Sequence, residues 1–283
     1  MSDVVISISS HVARGSVGNR AMVFALERLG FETWSVPTVV MPHHPGHGPV
    51  EKIVPDAQRF AALLEAIVAD GRATDVAGIV SGYLASAEEA EAVAALVGKV
   101  KAARPDALYL CDPVVGDAGR LYVAEGLAEI VREKLLPLAD IATPNAFECA
   151  WLARADTAEP DLVALARALP PPEILVTSAP AMMRGHIGNL LVTARDAILF
   201  EHPLLPTPAK GTGDLLAALL LARRLKGQSP AKAAETALSS VFEIVAGTAK
   251  AGADELLLAA LQDSIVMPHA SVVARRLVPG TRR

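Results

Sequence analysis

Short runs of β-branched and aliphatic residues alternate with longer amphipathic stretches along almost the whole chain. Val4-Val5-Ile6-Ser7-Ile8 predicts a buried strand, and residues 19–29 predict a helix closed by Gly30. Residues 33–40 predict the next strand, after which Pro42, Pro45, Gly46, Gly48 and Pro49 punctuate a loop and exclude a helix. A helix over 56–69 leads into a strand over 76–80. Ser86 and Glu89 then form the S-x-x-E pattern that opens a helix running to residue 103. Further strands are predicted at 107–111, 140–142, 174–177, 190–193 and 197–200. Further helices are predicted at 124–135, from Asn145 onward, and over 212–225, 230–249 and 254–262. Pro230, after Ser229, suits a first helical turn.

Strands alternating with helices in this way predict βαβ units: an α/β fold with a mainly parallel central sheet and helices on both faces. No internal repeat, low-complexity tract or linker interrupts the pattern, so residues 1–283 are read as one domain.

Composition narrows the classes. Apolar residues make up 52% of the chain and charged residues 20%, a balance too apolar for a disordered protein. The run of apolar residues over 215–222 is well short of the roughly 20 that a membrane-spanning helix needs. Met1-Ser2-Asp3 carries no basic segment ahead of the first apolar run, so no signal peptide is expected and the cytoplasm is the default setting. A net charge of −5 argues against a nucleic-acid partner. Cys111 and Cys149 lack CxxC spacing and are expected to be reduced and buried. Arg275-Arg276 and Arg282-Arg283 read as a solvated, basic chain end.

Ligands of open parallel sheets bind beyond the carboxyl ends of the strands. Small or polar clusters sit at that end of strand after strand: Ser9-Ser10-His11 with Gly15, Gly18 and Asn19; Ser81-Gly82-Tyr83; Asp112-Pro113 with Gly116-Asp117; Thr143-Pro144-Asn145 with Glu148; and Thr177-Ser178. Gly211-Thr212-Gly213-Asp214 opens an apolar helix, where free N–H groups and the helix dipole favour an anion such as a phosphate. Asp214 can serve there as a base toward a substrate hydroxyl, or simply as a helix cap. Asp112, Asp117 and Glu148 form a candidate metal–nucleotide corner, since Mg²⁺ is usually held by one or two carboxylates together with phosphates; the alternative is solvated loop acids. His43-His44-Pro45-Gly46-His47 favours a substrate-facing or lid loop over a metal site, because Pro45 and Gly46 preclude helical placement of the histidines. Trp34 and Trp151 are read as packing residues.

In this order and spacing, Ser10-His11-Val12, Gly18-Asn19-Arg20, Ser81-Gly82-Tyr83, Cys111-Asp112-Pro113-Val114, Thr143-Pro144-Asn145, Glu148, Thr177-Ser178 and Gly211-Thr212-Gly213-Asp214 resemble the pyridoxal kinases of the ribokinase-like superfamily. The resemblance implies a three-layer ribokinase-like fold and ATP-dependent phosphorylation of the 5′-hydroxymethyl group of pyridoxal, pyridoxine or pyridoxamine. It implies that Asp214 is the base and that Gly211, Thr212 and Gly213 form the anion hole for the γ-phosphate. By the same match Asp112, Asp117, Thr143 and Glu148 handle Mg²⁺ and a monovalent cation such as K⁺. Asp112, Asn145, Glu148, Thr177 and Ser178, with Gly211 and Thr212, fall on the ATP side, and Ser10, His44, Tyr83 and Asp214 on the vitamer side. A homodimer is implied too. One departure stands out: Met41-Pro42-His43-His44-Pro45-Gly46-His47 occupies the place of an F-S-N-H-T-x-Y run, so Pro45 replaces a Thr and His47 a Tyr. Two rivals differ in chemistry. A hydroxymethylpyrimidine kinase would carry a Gly-rich S-G-G-G stretch where this chain has Ser9-Ser10-His11-Val12, and a non-catalytic vitamer- or nucleotide-binding regulator would not need the Gly211–Asp214 run.

Overall fold

A computed structural model describes residues 3–155 and 161–277. The readings made on Met1-Ser2 and on Arg282-Arg283 lie outside the described residues. Eleven strands are described: β1 (Val4–Val12), β2 (Glu32–Met41), β3 (Val76–Ser81), β4 (Leu108–Cys111), β5 (Gly116–Asp117), β6 (Arg120–Leu121), β7 (Ile141–Ala142), β8 (Glu173–Ala179), β9 (His186–Thr193), β10 (Ala197–Pro203) and β11 (Val273–Arg276). The helices are α1 (Asn19–Arg28), α2 (Ala57–Ile67), α3 (Ala87–Ala103), α4 (Glu125–Ile130), α5 (Ala146–Leu152), α6 (Leu162–Ala168), α7 (Thr212–Leu225), α8 (Pro230–Lys250) and α9 (Gln262–Val266).

Nine strands form one sheet in the order β11-β10-β9-β8-β7-β4-β3-β1-β2. The six from β2 to β8 are parallel, and β9, β10 and β11 are added antiparallel. The strand period of two divides the core into two layers. Val4, Ile6 and Ile8, with Ile79, Tyr109 and Val176, face one side and pack on α2 to α6 through Phe60, Leu64, Leu96, Leu127 and Leu152. Val5, Val80, Leu110 and Leu175 face the other and pack on α1, α7 and α8 through Met22, Leu26, Leu219 and Leu238. Every residue of the 215–222 run is buried, because α7 lies between α1, α8 and the sheet.

The expected α/β architecture with helices on both faces is therefore present, with differences at its margins. The first strand continues through Ser9, Ser10 and His11 to Val12, with a register shift at Ser9/His11. Asn19 stitches that irregularity: its Nδ2 donates to the carbonyls of Ser9 (3.1 Å) and Val36 (2.9 Å), and its Oδ1 accepts from Ser7 Oγ. The loop after β2 contains a single 3₁₀ turn, Pro45–His47, nucleated by Pro at its first position. The helix expected over 124–135 is α4 continued by a π-helical turn at Val131–Leu135.

No helix spans 254–262: the segment runs in turns until α9 begins at Gln262. Leu256 and Leu258 are both buried, a two-residue spacing that one helix face does not provide. The chain end at Arg275-Arg276 is likewise not simply solvated. Both belong to edge strand β11, where Arg275 Nε pairs with buried Glu201 (2.9 Å) and Arg276 with Asp196 (3.2 Å). Trp34 and Trp151 pack against the first layer, with the Arg132 guanidinium 5.0 Å above the Trp151 ring. Cys111 and Cys149 are free and buried, and burial pushes both thiols up to about 12, which leaves them inert. No helix among the described residues is long and apolar enough to cross a membrane.

Candidate active site

The carboxyl ends of the parallel strands open into a cavity of about 600 Å³, within the usual range for small-molecule sites. Nearly every residue singled out from the sequence reaches it: Ser10, His44, Tyr83, Asp112, Asp117, Thr143, Asn145, Glu148, Thr177, Ser178 and the whole of Gly211–Asp214. His11, on the same strand as Ser10, is not among its walls, nor are His43 and His47.

The floor is the amino end of α7. Its N-cap is Gly211 at φ +91°, and no side chain bonds to its first N–H groups. By contrast, α2, α3, α5, α6 and α8 are each capped by an Asp, Ser or Asn side chain. The first turn of α7 thus keeps its orphan donors for a ligand. Glycine is required at 211, since a Cβ there would meet the Ser16 carbonyl at 2.1 Å in a left-handed backbone region. Asp214, in the first turn, does not cap the helix; its carboxylate accepts the N–H of Gly18. Gly18 lies so close to Ser10 that a Cβ would sit 2.1 Å from the Ser10 carbonyl. Surrounding protein desolvates the Asp214 carboxyl and raises its pKa from 3.8 to about 6.

The acid corner lies beside it. Thr143 Oγ1 donates to Asp112 Oδ1 at 2.8 Å, and both residues are buried. Burial pushes the Asp112 carboxyl well above the usual range, and the charges of Glu148 and Asp214 push it further. Glu148 is also buried and raised to about 7, chiefly by desolvation. Its two oxygens hold the corner together: Oε1 accepts from the N–H of Val115 (2.9 Å) and Gly116 (3.2 Å), and Oε2 from that of Asn145 (2.9 Å). With Asn145 Oδ1 receiving the Glu148 N–H, this completes the capping box of α5. Asp117 is exposed at the tip of the β5–β6 hairpin, where its Oδ1 accepts the Ala118 N–H.

Among the described residues no three His, Cys, Asp or Glu side chains converge to cage an ion. Crowded, desolvated carboxylates still fit a divalent cation held partly by substrate phosphates, the common arrangement for Mg²⁺. Opposite, the strand pairing of β8 with β9 breaks between Val176 and Ala179, leaving Ser178 exposed at φ +53°, a strained position for a residue with a side chain.

Three wall residues were not singled out from the sequence: Lys210, Lys52 and Val17. Lys210 had the clearest signal, as it immediately precedes the glycine motif. A second cavity of about 210 Å³ adjoins the first and shares Thr177, Ser178, Thr212, Gly213 and Leu216 with it. Its remaining walls include Leu205, Leu238, Val241 and Phe242, apolar surface that the sequence reading assigned to no ligand.

Comparison with known proteins adds to this geometry. The family model of phosphomethylpyrimidine kinase matches residues 14–257. The chain is 38% identical to pyridoxal kinase PdxY of Rubrobacter xylanophilus, over 96% of this chain and 97% of that one. It is 36% identical to pyridoxal kinase PdxY of Granulibacter bethesdensis, over 96% and 99%. Its structure superposes on pyridoxal kinase from Leishmania donovani, solved in complex with ADP and pyridoxamine, with a TM-score of 0.90, 28% identity and coverage of 98% and 100%.

Proposed function

This chain belongs to the phosphomethylpyrimidine kinase family, with the pyridoxal kinases among its relatives, and on that premise we propose that it phosphorylates the 5′-hydroxymethyl group of pyridoxal, pyridoxine or pyridoxamine with ATP, a vitamin B6 salvage reaction. The observation that carries the proposal is the uncapped amino end of α7 opening into the cavity with Asp214 in its first turn.

On this reading the acceptor lies between Ser10, His44 and Tyr83, with its hydroxyl toward Asp214. A carboxylate with a pKa of about 6 is ionised at neutral pH and still basic enough to take up the hydroxyl proton as the oxygen attacks phosphorus. The N–H groups of Gly211, Thr212 and Gly213 cradle the transferred phosphoryl group, and Lys210 and Lys52 add positive charge to the cavity. Thr177 and Ser178 line both cavities and Asn145 the larger one, and the apolar walls of the smaller suit the nucleotide base. Mg²⁺ would be held by Asp112 with Asp117 and the phosphates, while Thr143 orients Asp112 and Glu148 shapes the loop around them. Bound there, the metal would neutralise charge on the phosphates. A monovalent cation such as K⁺, a homodimeric assembly and a cytoplasmic setting belong to the same reading.

A panel of pyridoxal, pyridoxine, pyridoxamine and hydroxymethylpyrimidine, each assayed for ADP release and phosphorylated product, tests it. Turnover of a B6 vitamer is expected. Exclusive turnover of hydroxymethylpyrimidine, or ATP binding with no turnover of any acceptor, would overturn it.

A further inference from the structure

One carboxylate outside the cavity ties together three segments far apart in sequence. Glu255, in the turns between α8 and α9, places Oε1 3.0 Å from Nε2 of His47, an ion-pair contact with the imidazolium rather than an aligned hydrogen bond. Both side chains are about four-fifths buried, with exposures of 20% and 18%. Its other oxygen accepts the Ser16 N–H at 3.3 Å, and Ser16 Oγ donates back to the Leu256 carbonyl at 2.8 Å. Gly15 makes the room, since a Cβ there would lie 2.6 Å from Glu255 Oε1.

Each tethered segment adjoins the reacting centre. The Ser16 carbonyl backs Gly211, and two residues later Gly18 donates its N–H to Asp214. His47 closes the 3₁₀ turn whose N-cap, His44, lines the cavity. That turn is stiff: His44 Nδ1 accepts the Gly46 N–H at 2.9 Å, and the His44 carbonyl accepts the His47 N–H at 3.0 Å. A shift of His47 therefore carries His44 with it. Residues 43–49 contribute no side chain to the buried core, so this loop has little apolar anchorage of its own.

We propose that Glu255 is a positioning residue for the phosphoryl acceptor: through His47 and Ser16 it holds the loop carrying His44 against the loop carrying Gly18, fixing the acceptor side of the cavity. The inference rests on the reading of that side as the acceptor site. Breaking the tether lets the loop open, so the acceptor binds more weakly while the ATP side, built on β8, α5 and α7, keeps its geometry.

The test uses Glu255→Gln, His47→Gln and the double variant of the full chain. Each single change is expected to raise KM for pyridoxal about tenfold, and the double change no further, because one contact is lost in all three. KM for ATP and kcat should stay within about twofold of the parent. Hydrogen exchange of the peptide spanning 42–49 should quicken in every variant, a readout that needs no acceptor. Should Glu255→Gln fold poorly, His47→Gln alone carries the comparison. An unchanged pyridoxal KM in the folded variants, a matching rise in KM for ATP, or additive losses in the double variant would overturn the proposal. If the parent phosphorylates hydroxymethylpyrimidine and not pyridoxal, the assigned reaction fails while the tether is judged on that acceptor and on the exchange of the loop.

Discussion

Replacing Asp214 with Asn separates catalysis from folding, because the structure assigns the carboxylate a cost as well as a use. Asn keeps the size of the side chain and can still accept the Gly18 N–H. The native carboxyl titrates at about 6 against an ordinary 3.8, so folding disfavours its ionised form. A folded pKa above the unfolded one means that the charge destabilises the fold at neutral pH, and that this cost fades as pH falls from 6 toward 3.8. About two units at roughly 1.4 kcal/mol each give a ceiling near 3 kcal/mol. Desolvation of the new amide offsets part of it, leaving a net gain of about 1–2 kcal/mol at pH 7. For a chain of this length that raises Tm by about 2–4 °C. Loss of the base should meanwhile lower kcat by roughly 10²–10⁴-fold. Scanning calorimetry at pH 7 and pH 5, with initial rates at saturating ATP and pyridoxal, reads both effects, and the gain in Tm should shrink at pH 5. A variant that keeps kcat within about threefold of the parent, or loses stability at pH 7, would refute the reasoning.

Three further outcomes follow from the same geometry. Since the base must be ionised, kcat/KM should fall about tenfold per pH unit below pH 6, and a flat profile down to pH 5 would remove Asp214 from that role. Gly211→Ala should destabilise the chain by about 2 kcal/mol or more in urea titrations, through its positive φ and the Ser16 carbonyl, whereas Gly213→Ala, with no atom within 4 Å of the added methyl, should leave stability unchanged and raise KM for ATP. Excess chelator should abolish turnover without lowering Tm, and Mg²⁺ should restore it; turnover that persists in chelator would discount the Asp112 corner.

Much of the architecture was legible because buried parallel strands announce themselves as short aliphatic runs, and α7 as an apolar stretch behind a glycine motif. What escaped had no such signature. Strands β5 and β6 have two residues each and are set by a turn at Ala118 and Gly119, both at positive φ. Strand β11 is exposed along its length and reads as a charged tail, because its place comes from Glu201 and Asp196. The segment 254–262 has the leucines of a helix, but Glu255 and the Leu256 carbonyl are drawn to Ser16 instead. The polar residues at strand ends were legible for a topological reason, since a parallel sheet delivers all of them to one edge. Lys52 was not, because nothing in a sequence distinguishes a lysine beside a cavity from one in water, whereas Lys210 at least adjoins the glycine motif.

The site also gathers in one place features that occur only singly elsewhere in the fold. Helix α7 begins without a side-chain cap, Asp112 and Glu148 are desolvated together, and burial raises the Asp214 carboxyl to about 6. Elsewhere most helices are capped, and the buried acids Glu173 and Glu201 each face an arginine. Each departure carries a free-energy cost, and each is relieved by a different part of one ligand set. Free N–H donors take a phosphoryl group, crowded carboxylates take a cation, and a raised carboxyl takes a proton. A binding pocket without chemistry would need the first of these and gain nothing from the third. The coincidence of all three at the carboxyl edge of one sheet is therefore better explained by phosphoryl transfer to a hydroxyl than by binding alone.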